Sequence, residues 1–251
     1  MTLVAGAPQP KPRQQSIAEA LPETVPSHVG IIMDGNGRWA KRRALPRLAG
    51  HHAGTENVRR ITMACADAGV DVLTIYAFST ENWRRPAEEV RGLMTLLAQR
   101  IDKEAAELHR NNVQIRHVGT LDGIAARLAE RVSAAVQLTR DNTGLVLNVA
   151  FNYGGRDEIT RAVRRALAAG VAPHELTPEI IDRHLDTAGL PDLDLVIRTG
   201  GEMRLSNFLL WQAAYAEYYS TPICWPDFGR EELYQAFAEF GRRSRRFGGL
   251  V

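Results

Sequence analysis

The sequence predicts an α/β protein of a single domain, with a mainly parallel central sheet and helices on both faces. Three observations carry that prediction. Short apolar, β-branched runs alternate with longer segments of helical periodicity from about residue 28 to 241, the pattern of strands joined by helical crossovers. Glycine-bearing polar clusters follow several of those runs directly, where an open sheet places its binding loops. No Pro/Gly-rich linker breaks the alternation, so the 251 residues read as one domain rather than two.

Residues 1–27 hold Pro8, Pro10, Pro12, Pro22 and Pro26 among Ala, Gln and Glu, a flexible leader before a folded domain over 28–251. Val29 to Met33 is the first buried strand. It stops at Asp34, followed by Gly35, Asn36, Gly37, Arg38 and Trp39, and then a basic stretch with Lys41, Arg42, Arg43, Arg47, His51 and His52. A helix at about 54–68 turns Val58, Ile61, Met63 and Ala64 inward, and Gly69 ends it. Val70 to Phe78 is the second strand; Ser79, Thr80, Glu81, Asn82, Trp83, Arg84 and Arg85 follow it. A long helix over about 87–110 repeats Val90, Leu93, Met94, Leu97, Ile101 and Leu108 at helical spacing, which a plain amphipathic core helix also satisfies. Strands at Val113–Val118, Leu145–Phe151 and Leu193–Ile197 alternate with helices at about 123–140, 157–169 and 178–186. The turn NYGGR occupies 152–156, and the last of these strands runs into Arg198, Thr199, Gly200, Gly201, Glu202, Met203, Arg204, Leu205 and Ser206. A helix with Trp211, a short aromatic stretch containing Glu217 and a helix at about 230–241 complete the chain.

Composition removes several classes. A formal net charge of +2 gives no field that would announce nucleic acid. The two cysteines, Cys65 and Cys224, have apolar neighbours and no metal-type spacing, as buried thiols in a reducing compartment do. No apolar run approaches the roughly 20 residues of a spanning helix, and the N-terminus lacks the apolar core of a signal peptide. A cytoplasmic protein is expected, with peripheral contact to a membrane left open; Lys11 and Arg13 could touch anionic lipid. The chain has no GxxxxGK[ST] phosphate loop, no GxSxG elbow, no HExxH or Cys/His zinc set and no DDxxD pair.

What remains is chemistry for phosphates. In a parallel sheet all carboxyl ends lie on one edge, so the clusters 34–39, 79–85 and 198–206 can converge. Arg38, Arg47, Arg85, Arg198 and Arg204 would there grip several phosphate oxygens in bidentate fashion, enough for more than one diphosphate. Taken singly, each arginine also fits a solvated surface charge. Asp34 could hold Mg²⁺ and Arg38 a phosphate oxygen, or the same residues could form an Asx turn. Asp34, Glu81 and Glu217 are the carboxylates available to a hard cation.

HVGIIMDGNGRWAKRR, GHHAG, YAFSTENWRRP, NYGGR, DLVIRTGGEMRLSNFLLWQ and the WPDF at 225–228 together resemble the cis-prenyltransferase family, nearest its bacterial undecaprenyl-forming type. The resemblance runs from about His28 to Gly249. It implies condensation of isopentenyl diphosphate with an allylic diphosphate such as farnesyl diphosphate, giving a long cis-polyprenyl diphosphate, a lipid carrier for cell-wall glycans. On that reading Asp34 binds Mg²⁺ and Glu217 is the second metal carboxylate. Gly35, Asn36, Gly37 and Arg38 hold the allylic diphosphate beside Arg47 and His51; Trp39 and Trp83 line the substrate pocket. Asn82 is the proton acceptor, with Ser79 positioning groups. His51 is either a proton relay or a structural histidine. Arg198, Arg204 and Ser206 form the isopentenyl diphosphate site, and Thr80, Glu81, Arg85 and Leu205 complete the substrate-binding set. The resemblance also implies a homodimer, whose tail Arg246-Phe247-Gly248 reaches across the interface, and an apolar tunnel between the 87–110 helix and the sheet. Ala77 matches long-chain members and Leu145 the tunnel floor. Met203 stands where some members carry His. A short-chain or branching member would share the diphosphate contacts and differ in tunnel depth. A non-catalytic partner subunit would lose the carboxylate and arginines that this chain keeps.

Overall fold

The protein is described by a computed structural model over residues 23–243. The first 22 residues of the leader, and the Arg246-Phe247-Gly248 tail, lie outside the described residues. The chain runs β1 (His28–Ile32), α1 (Asn36–Arg42), α2 (Arg47–Ala68), β2 (Val72–Ser79), α3 (Ala87–Arg110), β3 (Gln114–Val118), α4 (Ala126–Thr139), β4 (Val146–Tyr153), α5 (Gly155–Ala168), α6 (Pro178–Asp182), β5 (Leu195–Arg198), β6 (Glu217–Ser220) and α7 (Arg230–Arg242). The six strands form one sheet in the order β3-β4-β2-β1-β5-β6, and every neighbouring pair is parallel.

Burial follows position in that order. All residues of β1 and β5 are buried, whereas β3 and β6, at the two edges, are mostly half-buried. This is why the central strands read as unbroken apolar runs. Alternation then divides the core. Val29, Ile31, Leu73, Leu195 and Ile197 face Ile61 and Cys65 of α2 and Leu233 and Phe237 of α7. Ile32 and Val196 point the other way, under Phe208 and Leu209. A third cluster joins Phe78 and Phe151 to Val90 of α3 and to Leu128 and Val132 of α4. Each fully buried side chain of this size contributes about 1.5–3 kcal/mol.

The sheet order turns at β1: β2 lies on one side of it and β5 on the other. Such a switch point opens a crevice at the carboxyl ends of the strands. Register sets the same edge, with Ile32 opposite Arg198 and Ser79 opposite Tyr153. The three polar clusters therefore leave the sheet together.

The structure corrects five local expectations. Asn36 begins α1 at once, where a turn and a basic stretch were expected, and α2 starts at Arg47, not near 54. Glycine is a poor helix former, yet α2 contains Gly50, because a Cβ there would stand 2.0 Å from the Asn36 carbonyl oxygen. Packing of the two helices thus overrides the local signal. The helix expected at Trp211 is only the 3-10 turn Gln212–Tyr215, and Glu217–Ser220 pairs with β5 as an edge strand. The 178–186 helix is shorter, Pro178–Asp182.

Candidate active site

Asp34 lies two residues beyond β1. Its main chain is clamped by Thr199: the Asp34 amide donates to Thr199 Oγ1 at 2.9 Å, and that hydroxyl donates to the Asp34 carbonyl at 2.7 Å. Its carboxylate takes the Gly35 amide on Oδ1 at 2.6 Å, with Arg38 Nη2 3.2 Å away, and Arg198 Nη2 on Oδ2 at 2.9 Å. Burial pushes the carboxyl pKa up, but the bonds from Arg198 and Gly35 and the charges of Arg198 and Arg38 outweigh it, holding the group below its ordinary range. Gly35 sits at φ +100°, and a side chain there would strike Cys224 at 2.9 Å.

Arg198 is 4% exposed. Besides Asp34 it donates to the Arg204 carbonyl and to Ser206 Oγ, the latter at 2.8 Å. A buried guanidinium held by three partners on its two Nη atoms is fixed in orientation before any ligand arrives, while its buried Nε has no partner. The Arg204 side chain turns outward, pairing with Glu202 at 2.5 Å, and Met203 beside it is 75% exposed.

The second cluster is a 3-10 turn, Thr80–Arg84. Asn82 Oδ1 accepts the Ser79 amide at 3.1 Å, and Trp83 donates to Asn152 Oδ1 at 2.8 Å. Thr80 donates to Glu81, and Glu81 also accepts from Asn207 at 2.7 Å. A further carboxylate, Glu89, gathers Arg47 at 3.1 Å and Arg85 at 3.0 Å, with His51 Nε2 at 3.8 Å. Burial lowers the His51 pKa to about 4, with Arg85 and Arg47 adding to the effect against Glu89. His51 is therefore neutral at pH 7, and its buried Nε2 has no hydrogen-bond partner; neither has Asn36 Oδ1.

Both residues line a cavity of about 230 Å³. It passes Ala77 and Phe78 of β2 and Leu97 of α3 and reaches Leu108, Ile115 and Leu147 near the opposite edge of the sheet. The arrangement is a charged rim over an apolar slot, suited to a ligand with an anionic head and a hydrocarbon body.

A family model described as "Putative undecaprenyl diphosphate synthase" matches residues 32–248. The chain belongs to this prenyltransferase family. An isoprenyl transferase from Heliobacterium mobile is 50% identical over 242 residues, 94% of this chain and 93% of that one. One from Agrobacterium fabrum is 52% identical over 232 residues, covering 91% and 94%. Among solved structures, lavandulyl diphosphate synthase from Lavandula x intermedia, in complex with dimethylallyl diphosphate, superposes with a TM-score of 0.85 at 35% identity, over 88% of this chain and 98% of that one. A probable undecaprenyl diphosphate synthase from Campylobacter jejuni gives 0.76 at 32% identity, over 90% and 99%. The family and the parallel α/β fold are those the sequence motifs imply.

Within this prenyltransferase the structure joins seven of the expected residues in two groups. Asp34, Arg38, Arg198 and Ser206 form one connected group, and Arg47, His51 and Arg85 a second around Glu89. Other expected residues lie apart. Trp39 donates to Asp227 at 2.7 Å under the Arg43 guanidinium and, like Trp83, does not line the cavity. Leu145 is buried in the core; Leu147 takes the place expected for it on the cavity wall. Glu217 opens β6 opposite Leu195, at the far end of the strands from Asp34, and accepts from Arg243 at 3.0 Å. The chain alone therefore does not join Glu217 to Asp34. Glu89, Thr199 and Asn207 were not singled out from sequence. Only Glu89 had a local signal, its place in the first turn of α3 just after Arg85.

No group of three or more His, Cys, Asp or Glu that could hold a metal occurs among the described residues. The Asp34 carboxylate, one-third exposed, suits instead a Mg²⁺ ion that takes most of its ligands from substrate phosphates and water. No helix among the described residues is long and apolar enough to cross a membrane.

Proposed function

We propose that the chain condenses isopentenyl diphosphate with farnesyl diphosphate, in the presence of Mg²⁺, to build a long cis-polyprenyl diphosphate of the undecaprenyl class. The observation that carries this reading is the Asp34–Arg198 pair beside Met33 and Asn36, two residues that line an apolar cavity reaching toward the opposite edge of the sheet. The allylic diphosphate sits at Asp34 and Arg38, its hydrocarbon tail in the cavity. Isopentenyl diphosphate sits at Arg198 and Ser206. Asp34 holds Mg²⁺, which when bound neutralises charge on the diphosphates.

The protein's own part is electrostatic and positional. Departure of diphosphate from an allylic carbon leaves a delocalised cation, and Arg38 and Arg198 stabilise the charge developing on the leaving oxygens. The second substrate's double bond needs only to be held close to that carbon. The resulting cation is so acidic that a weak acceptor suffices. Asn82 keeps a free lone pair on the oxygen that accepts the Ser79 amide, and neutral His51 stands ready as a relay.

Ala77 on the cavity wall favours a long product, since a bulkier side chain there would close the passage. A short or branched product is the second reading, favoured by the likeness to lavandulyl diphosphate synthase. Incubation with farnesyl diphosphate, labelled isopentenyl diphosphate and Mg²⁺, with products separated by size, tests both. A ladder ending near eleven isoprene units is expected; no labelled product beyond C20 from farnesyl diphosphate, with C10 or C15 product formed when dimethylallyl diphosphate is supplied in its place, would replace the long-chain reading. Full turnover with excess chelator would refute the role of Mg²⁺.

A further inference from the structure

We propose that Asn207 is a positioning residue that locks the isopentenyl diphosphate half of the site to the turn carrying Asn82. The inference rests on the functional reading above. Its origin is the NYGGR turn, to which that reading gives no task. α5 begins at Gly155, and the residue before it, Gly154, has no side chain with which to cap the helix. The cap comes from a distant segment. The Asn207 carbonyl accepts the Gly155 amide at 2.7 Å, and Asn207 Oδ1 accepts the Arg156 amide at 2.9 Å. Asn207 Nδ2 donates to Glu81 Oε1 at 2.7 Å. One side chain thus joins three loops, after β2, β4 and β5.

Two observations show that this junction is built. A Cβ on Gly154 would stand 2.7 Å from both Asn207 Nδ2 and Thr80 Oγ1, so any side chain there would push these two groups out of the junction. Ser206, Asn207 and Leu209 all have positive φ, 49°, 65° and 43°. Asparagine adopts such angles readily, but serine and leucine hold them only where their surroundings enforce them. Ser206 is further held by Tyr76, whose hydroxyl donates to its carbonyl at 3.3 Å. Ser206 Oγ in turn fixes one side of the Arg198 guanidinium. Releasing Asn207 would relax Ser206 and Arg198, and would free Glu81 next to Asn82.

The test exchanges donor and acceptor. In Asn207→Asp the cap on α5 survives, but a carboxylate then faces Glu81. Adding Glu81→Gln restores a hydrogen bond in the opposite direction. Steady-state kinetics are measured on wild type, both single variants and the double variant, varying each diphosphate in turn. Asn207→Asp is expected to lower kcat/KM for isopentenyl diphosphate by about 10- to 100-fold, mainly through KM, with the KM for farnesyl diphosphate within about twofold. The double variant is expected within about threefold of Glu81→Gln alone. Wild-type behaviour of Asn207→Asp, equal losses for both substrates, or no recovery in the double variant would overturn the inference alone. Absence of prenyl transfer by the wild-type chain would overturn the functional reading, and the inference with it.

Discussion

Replacing Asp34 by Asn changes one atom of the carboxylate and removes its charge. Three donors converge there now, from Gly35, Arg38 and Arg198. An amide has one acceptor oxygen, so its NH₂ group must face a donor whichever way it turns. If the oxygen stays with Gly35, Arg198 loses its counter-ion while remaining 4% exposed. Breaking a buried ion pair costs about 3–5 kcal/mol. Asp34 is 32% exposed, and solvent screening reduces this to about 2 kcal/mol. At about 2–4 °C per kcal/mol for a chain of this size, the melting midpoint should fall by about 4–8 °C. The effect on catalysis is larger, because the same charge orders Arg198 and is the proposed Mg²⁺ ligand. A loss of about 3–4 kcal/mol in the transition state corresponds to roughly 10²- to 10³-fold in kcat. Differential scanning calorimetry and single-turnover transfer of labelled isopentenyl diphosphate, on the same preparation, measure the two effects. Activity within about threefold of wild type, with an unchanged midpoint, would refute the reasoning.

Three other perturbations test separate parts of the account. His51 has its folded-state pKa depressed from 6.5 to about 4, so the unfolded chain takes up the proton first as pH falls. Its contribution to stability is complete above pH 6.5 and is lost between 6.5 and 4, by about 3 kcal/mol at most. Urea unfolding across that range should show a shallower pH dependence for His51→Gln than for wild type, and equal slopes would contradict the buried neutral imidazole. Ala77→Leu adds three carbons to the cavity wall, against five per isoprene unit, and should shorten the product ladder while leaving the first condensation within a fewfold of wild type. An unchanged ladder would mean that the chain does not pass Ala77. Glu89→Ala frees Arg47 and Arg85 together, and should raise the KM for the allylic substrate by about tenfold; an effect confined to isopentenyl diphosphate would place Glu89 in the other half-site.

The fold was readable because both of its signals are local. Val29–Met33 and Leu193–Ile197 are apolar throughout because the central strands are covered on both faces, and the polar residues that follow mark the edge where binding loops gather. What escaped was decided by contacts between distant segments. α1 and the first turns of α2 pack so closely that glycine is needed at position 50, which hides the helical pattern. β6 is a half-buried edge strand of four residues, too short for periodicity to reveal. At the site, glycine turns and arginines pointed to Asp34, Arg38 and Arg198, but residue type could not tell that Trp39 would engage Asp227 or that Arg204 would contribute its carbonyl and turn its side chain outward. Asn207 is typical of such a limit. Its three partners lie near residues 81 and 155, and only the folded sheet edge brings them within reach.

The central claim is that one rim of charge receives both diphosphates above a single apolar slot. A crystal structure with Mg²⁺, isopentenyl diphosphate and an unreactive thio analogue of farnesyl diphosphate tests it most directly. The account predicts the thiodiphosphate at Asp34 and Arg38, the second diphosphate on Arg198 and Ser206, and the farnesyl tail descending past Ala77. Either diphosphate bound away from the Asp34–Arg198 pair, or the tail lying outside the α3-lined cavity, would contradict it.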